Sequence, residues 1–447
     1  MREVRQMVNW DPRALEVLRR LEGAGHRAVL VGGCVRDSLL GIPPRDYDAA
    51  TSALPRETEK ACAGLRCVET GLKHGTVTVL SGSLPVEVTT FRKEGTYSDH
   101  RHPDRVEFTP DLEEDLARRD FTVNAMAWGE DGLIDLFGGQ DDLQNRLIRC
   151  VGDPDRRFEE DALRLIRGLR LAAQLGFDPH PDTAAAIRRH APQLAHVAWE
   201  RIAAEFVRLL CSPGAGRVLL EFPEIVTQIL PELTPAVGFD QKNPHHIHDV
   251  YTHSVKAVEQ VPPRPALRLA ALLHDAGKPA VFSLDEQGVG HFYGHPKVSA
   301  ALADQALERL RLDSATRNRA VTLVARHDLP VEPTEQWAGR WLSRLGEEVF
   351  FDLLALKRGD ALACAPREDS GLAVLDRTEE IARELLSRRP CLTLRDLAVN
   401  GRDALAAGLS GPEIGKALNA LLEQVAEGTI PNDRALLLEK LPTLSDT

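Results

Sequence analysis

No stretch of this chain approaches the ~18 consecutive apolar residues of a membrane-spanning helix. The opening residues Met1-Arg2-Glu3-Val4-Arg5-Gln6 lack the apolar core of a secretory leader. Cysteine pairing is missing as well. The seven cysteines, Cys34, Cys62, Cys67, Cys150, Cys211, Cys364 and Cys391, are odd in number and contain no C-x-x-C pair. That pattern fits reduced thiols and excludes a disulfide frame or a zinc ribbon. Positive charge is in deficit, with a formal net charge of −12. This argues against broad nonspecific binding to nucleic acid but not against a local basic groove, and arginines do cluster in the first half. A cytoplasmic protein with no membrane partner is the expectation. What is present is ordinary globular material: 447 residues, 43% hydrophobic and 27% charged, enough for two to four domains.

The chain is organised around residues 28–50, Ala-Val-Leu-Val-Gly-Gly-Cys-Val-Arg-Asp-Ser-Leu-Leu-Gly-Ile-Pro-Pro-Arg-Asp-Tyr-Asp-Ala-Ala. It reads as a short buried strand, a double glycine, a short helix, a proline turn and a second strand opening with two carboxylates. Gly32 and Gly33 allow close backbone approach and leave free N–H groups at a helix start, which suits phosphate. Arg36 lies on the turn behind them, within reach of the same anion. Asp46 and Asp48 are two apart, which on a strand puts both side chains on one face. Paired carboxylates beside a phosphate cradle suit Mg²⁺, which takes oxygen ligands. Either feature alone is commonly a turn or a solvated strand end. In this order they are far more specific.

This stretch resembles the active-site signature of the polymerase-β-like nucleotidyltransferases, in the form seen in class II CCA-adding enzymes and bacterial poly(A) polymerases. The rest of the chain offers further motifs in family order. Residues 11–21 form an amphipathic helix, 55–64 a helix and 66–69 a short strand. Residues 76–80 and 86–90 alternate as a strand pair joined by Ser81-Gly82-Ser83. Glu87 points opposite to Val86 and Val88. It is either a third carboxylate beside Asp46 and Asp48 or a solvent-facing strand residue. Residues 91–110 read as a polar, turn-rich loop, of a length that is usually functional or disordered. The run Arg118-Arg119-Asp120-Phe121-Thr122-Val123-Asn124-Ala125 resembles the family's second motif, with guanidinium forks for phosphate and a carboxylate for ribose hydroxyls. Residues 133–139 look like its hinge.

Residues 160–175 read as one helix. Ala162, Leu163, Ile166, Leu169, Leu171 and Ala172 supply the apolar side, and Asp161, Arg164, Arg167 and Arg170 a polar ridge. Glu160-Asp161-x-x-Arg164 matches the family's nucleotide-selecting motif. A carboxylate accepts from an exocyclic amino group and a guanidinium donates to the neighbouring ring position. Such a pair distinguishes cytosine and adenine from uracil and guanine without a template. Beyond a Pro-, Gly- and Asn-rich segment at 231–244, read as a linker, His245, His246, His248 and His253 precede a helix. His253, His274-Asp275 and Asp360 then follow in the order of the HD phosphohydrolase superfamily, with His295 and His327 as extra candidates. Residue type and order favour a metal site over buried structural histidines.

The resemblance implies an α+β fold: a polymerase-β-like nucleotidyltransferase head with a mixed sheet, then an all-α neck, an HD-type body and a tail. The divisions are 1–148 for the head, 149–230 for the neck, 240–375 for the HD domain and 376–447 for a helical tail that binds tRNA. It implies template-independent CCA addition to tRNA from CTP and ATP. Asp46 and Asp48 would hold Mg²⁺, with Glu87 beside them. Gly32, Gly33, Arg36, Arg118 and Arg119 would hold the triphosphate and Asp120 with Asn124 the ribose. Glu160, Asp161, Arg164, Arg167 and Arg170 would serve the base. His253, His274, Asp275 and Asp360 would hold a second divalent metal, Ni²⁺ or Mn²⁺. The rival readings are an A-adding enzyme or poly(A) polymerase, and a phosphohydrolase acting through the HD site.

Overall fold

The computed structural model describes residues 9–71, 75–94, 106–243, 247–364, 371–388 and 390–444. They form two compact units, Met1–Ile229 and Leu230–Thr447.

The first unit is built on a seven-stranded mixed sheet. Its strands are β1 (Ala28–Val31), β2 (Tyr47–Thr51), β3 (Arg66–Gly71), β4 (Thr76–Ser81), β5 (Leu84–Thr90), β8 (Met126–Gly129) and β9 (Gly132–Asp135), in the order β3-β4-β5-β2-β1-β8-β9. β6 (Arg92–Glu94) and β7 (Val106–Phe108) form a separate ladder. Every neighbouring pair in the large sheet is antiparallel except β2 and β5. That parallel pair needs a crossover, supplied by helix Pro55–Ala61 with β3 and β4. β1 is apolar and buried at every residue, as a central strand must be. β4 and β5 instead alternate, burying Val77, Val79, Val86 and Val88. Helix Pro12–Gly23 lays Ala14, Val17, Leu18 and Leu21 on the core, and the Asp11 carboxylate caps it by accepting from the Arg13 N–H at 2.9 Å.

Two local expectations change in this unit. The loop read at 91–110 contains the β6–β7 ladder, tied by an ion pair of 3.5 Å between Lys93 and Glu107. The remainder of that loop, 95–105, lies outside the described residues. The single helix read at 160–175 is two helices, Pro154–Glu160 and Leu163–Leu175. Asp161 between them is extended, with φ −153° and ψ 104°. Its carboxylate accepts from the Leu163 N–H at 3.1 Å. A short acidic side chain competes for backbone N–H groups in this way and so interrupts a helix. Asp161 therefore leaves the ridge formed by Arg164, Arg167 and Arg170.

Among the described residues, the regular structure of the second unit is helical apart from a small hairpin, Ser283–Leu284 with Gly290–His291. The segment read as a linker at 231–244 starts with a 3₁₀ turn, Pro231–Ala236, that buries Leu233 and Ala236. Glu232 there takes a two-pronged ion pair from Arg309, at 2.6 and 2.7 Å. Buried apolar side chains and a forked ion pair make it part of the packed body. His253 does not precede its helix but lies inside it, Val250–Gln260. His245 and His246 lie outside the described residues. Helix Leu372–Ser387 runs through residue 375, where the tail was expected to begin. Farther on, Val399, Ala404, Leu421, Leu437 and Leu441 share one core. A Cβ at Gly339 would stand 1.9 Å from the Ala426 carbonyl oxygen, so helix Glu335–Leu345 meets helix Pro412–Ala426 at backbone distance. No helix of the described residues is long and apolar enough to cross a membrane.

Candidate active sites

The first site begins where β1 stops. Val31 lies opposite Asp48 across β1 and β2, and Asp48 lies opposite Glu87 across β2 and β5. Register thus places Glu87 beside Asp48, and Asp46 stands two residues before it. Burial raises the Asp48 carboxyl above its ordinary value, and the charges of Glu87 and then Asp46 push it the same way, opposed by Arg119. A carboxylate cluster that repels itself and is crossed by one guanidinium fits a divalent cation with oxygen ligands. Gly32 turns the chain here at φ +75°. A Cβ on it would meet Arg119 Nη1 at 3.4 Å and Asp48 Oδ2 at 3.6 Å, so glycine leaves the backbone open between cation and anion.

Behind this corner a cavity of about 340 Å³ is lined by Gly32, Gly33, Asp48, Arg118, Arg119, Asp120, Asn124, Asp161, Arg164 and Arg167, joined by Arg92 and Arg201. Arg118, Arg119, Arg164, Arg167 and Arg201 are held by carboxylates. Asp115, fully buried, accepts from Arg118 Nε at 3.0 Å and Nη2 at 2.7 Å with one oxygen, and from Arg119 Nη2 at 3.1 Å with the other. Asp120 Oδ2 accepts from Arg167 Nε at 2.9 Å and Nη2 at 2.7 Å. Its Oδ1 accepts from the Phe121 N–H at 2.9 Å and Asn124 Nδ2 at 3.4 Å. Burial opposes ionisation of Asp120, but the Arg167 charge and hydrogen bonds prevail and hold its carboxyl at about 2. Arg36 does not line this cavity. It is buried and donates to Asn124 Oδ1 at 2.5 Å while pairing with Asp37 at 2.7 Å.

Asp161 and Arg164 both line the cavity. Asp161 takes Arg201 Nη2 at 2.7 Å, and Arg164 donates to Glu160 at 2.6 Å. Arg170 pairs with Glu205 at 2.5 Å and is not among the lining residues. Sequence reading missed Asp115, Arg201 and Glu205 as site residues. Asp115 carried a signal, three and four positions before Arg118 and Arg119, where helical neighbours meet. Arg201 and Glu205 sit on helix Trp199–Leu210 and carried no local signal.

The second unit holds a separate cluster centred on Asp275. His274 and Asp275 end helix Pro265–Leu273, and His253 and Asp360 come from helices Val250–Gln260 and Glu347–Ala363. Asp275 Oδ2 faces His274 Nε2 at 3.2 Å and His253 Nε2 at 3.5 Å, and Asp360 Oδ1 is 2.9 Å from His253 Nε2. Asp275 Oδ1 faces His295 Nε2 at 3.2 Å and His327 Nε2 at 3.6 Å. His274, His295 and His327 each set Nδ1 against a backbone carbonyl, at 2.8, 2.9 and 2.7 Å, which turns Nε2 inward. Second partners of this kind fix imidazoles as metal ligands. Two trios of donors, His253, His274 and Asp275, then Asp275, His295 and His327, suit a borderline transition cation better than Mg²⁺. Lys278 Nζ lies 2.7 Å from Asp275.

Comparison with known proteins agrees with both parts of the chain. The model of the poly A polymerase head domain matches residues 28–149, and that of the probable RNA and SrmB-binding site of polymerase A matches 176–237. The putative tRNA nucleotidyltransferase domain 2 matches 291–441. The CCA-adding enzyme of Lacticaseibacillus paracasei is 36% identical over 95% of this chain and 94% of its own length. That of Geobacillus kaustophilus is 35% identical over 94% of each. The crystal structure of the Bacillus stearothermophilus CCA-adding enzyme in complex with CTP is 31% identical, covers 98% of this chain and 100% of its own, and superposes with a TM-score of 0.76.

Proposed function

We propose, from the premise that this chain belongs to the CCA-adding tRNA nucleotidyltransferase family, that its first unit extends tRNA 3′ ends with C, C and A from CTP and ATP. Pyrophosphate is released. The observation that carries the reading is the meeting of Asp48, Glu87 and Gly32 at the mouth of an arginine-lined cavity that also holds Asp161 and Arg164. The family uses a divalent metal. Asp46 and Asp48, with Glu87 beside them, would hold Mg²⁺, which when bound activates the primer hydroxyl and offsets charge on the triphosphate. Gly32 and Gly33 admit the triphosphate against the backbone, and Arg118 and Arg119, stiffened by Asp115, donate to it. Asp120 has its acceptor positions filled, so it acts on the ribose by holding Asn124 and Arg167 in place. Asp161, which accepts from the Leu163 N–H and from Arg201, keeps an acceptor position on Oδ2 for the base amino group, while Arg164 donates beside it. In domain terms we assign the head to 1–148 and the neck to 149–230, followed by the HD body and a tRNA-binding tail on either side of helix Leu372–Ser387, in a cytoplasmic enzyme. Incubating the protein with tRNA lacking its 3′ end and each nucleotide separately tests the reading. C addition from CTP, then one A from ATP, is expected. Runs of A on any RNA would instead point to poly(A) synthesis.

A second reading is favoured by the Asp275 cluster: a phosphohydrolase site holding a divalent transition metal such as Ni²⁺ or Mn²⁺. When bound, such a metal lowers the pKa of water toward neutrality. Lys278 offers a cation for the phosphate. The His274→Ala/Asp275→Ala variant, assayed on a 2′,3′-cyclic phosphate with Ni²⁺, Mn²⁺ or Mg²⁺, decides this. Activity in the unaltered protein and none in the variant is expected. Equal activity in the two removes the site.

A further inference from the structure

We infer that Cys364 is a metal ligand of the second unit, a sulfur donor that sets which ion the cluster prefers. The inference rests on the metal-site reading above. It names a ligand that the two trios sharing Asp275 do not contain.

Cys364 stands four residues after Asp360 and caps the C-terminus of the same helix, Glu347–Ala363. Side chains four apart on a helix share a face. Asp360 Oδ1 lies 2.9 Å from His253 Nε2 and 3.6 Å from His274 Nε2, so that face meets the cluster. Donor atoms of His253, Asp360 and Cys364 all lie within 4.8 Å of one another, a third trio beside the two already described. Within the described residues, Cys364 is the one cysteine of the seven that belongs to such a group. It also lines a cavity of about 420 Å³ together with Asp275, His295, His327 and Asp360. An ion at the trio is therefore reached from the same opening as the rest of the cluster.

An independent observation points to a cation beside Asp360. His274 is fully buried, and its Nδ1 is taken by the Ala271 carbonyl at 2.8 Å. Its Nε2 is buried too and makes no hydrogen bond among the described residues, although oxygens of Asp275 and Asp360 stand 3.2 and 3.6 Å away. A buried polar nitrogen left in this way is costly. A metal ion bonded to the nitrogen and to the carboxylates satisfies them together.

The chemistry is ligand exchange without redox change. The Cys364 thiol gives up its proton to solvent, and its sulfur forms a bond to the ion as thiolate. A soft sulfur donor adds affinity for Co²⁺, Ni²⁺ or Zn²⁺ and little for Mn²⁺, which favours oxygen. Histidines and carboxylates alone accept all of these. Cys364 widens the margin between the thiophilic ions and Mn²⁺.

The test uses the full chain with Co²⁺ as the probe. A cobalt–thiolate bond gives an intense near-ultraviolet charge-transfer absorption that nitrogen and oxygen ligands do not. The unaltered protein loaded with Co²⁺ should show this band, and Cys364→Ser should lose it. The same variant should bind Co²⁺ about tenfold more weakly or worse, with Mn²⁺ affinity unchanged. A merely structural cysteine would move both ions alike. Bound Co²⁺ should also shield Cys364 from iodoacetamide, read by peptide mass spectrometry. Bound Co²⁺ without the band, a band that survives Cys364→Ser, or equal loss of both ions overturns the assignment of Cys364 and leaves the histidine and carboxylate site standing. An unaltered protein that binds neither ion in its second unit overturns the metal-site reading, and Cys364 with it.

Discussion

At the scale of single residues, the head site separates charge that must be neutralised from charge that is already paired. Asp48 is the first kind. Its carboxyl is raised by burial and by Glu87, so the folded chain binds that proton more tightly than the unfolded one. Its contribution to stability is full below the ordinary value near 3.8 and is lost as pH rises through the raised value. Asp48→Asn should therefore leave the metal-free melting temperature at pH 7 unchanged or higher, while nucleotide addition falls by orders of magnitude. Added Mg²⁺ should raise the melting temperature of the unaltered protein only. A destabilised variant, or one that still transfers, contradicts the assignment. Asp120 is the opposite case. Held at about 2 by Arg167, it contributes stability above the ordinary 3.8 that is lost as pH falls toward 2. Asp120→Ala should cost about 1–3 kcal/mol in urea unfolding at pH 7, less than a fully buried pair, because Arg167 reaches solvent. The cost should shrink at pH 3. Asp48 was legible because a spacing of two beside a double glycine is a local pattern, and Asp120 because the run Arg118-Arg119-Asp120 resembles a family motif. Their partners were not, since Arg167 and Asp120 meet across 47 positions of sequence.

At the scale of elements, the helix Leu163–Leu175 is seated by an absence. Gly168 faces the Phe121 ring, and a Cβ there would lie 2.9 Å from its Cζ. The glycine lets the helix carry Arg164 and Arg167 up to the cavity. Gly168→Val should cost about 1–3 kcal/mol through overpacking and, by lifting the helix, admit UTP or GTP at measurable rates. Nucleotide choice as strict as before would show that helix position does not set selection. Periodicity predicted this helix but ran it through Asp161, because Ala162 and Leu163 continue the apolar pattern across the break. It also missed β6 and β7. Arg92-Lys93-Glu94 is charged at every position, so no alternation betrays a strand. The strands that bury one face, β4 and β5, were plain.

At the scale of the whole chain, two clusters of different chemistry lie in two compact units, oxygen donors with arginine in one and imidazoles with carboxylates in the other. His274→Ala should strip bound Mn²⁺ from the second unit, measured by elemental analysis, yet leave CCA addition within about twofold, since these donors take no part in transfer. A matching loss of addition would tie the two sites to one reaction. The mixed-sheet head and helical remainder were legible from motif order. The boundary near 375 was not, because helix Leu372–Ser387 crosses it without a change in composition. One consequence reaches past the molecule. If Asp161 and Arg164 choose the base, the letters added to a tRNA end are set by this protein's own side chains and by no nucleic-acid template. A single missense change at position 161 would then edit a whole class of RNAs at once, and its heredity would run through translation itself.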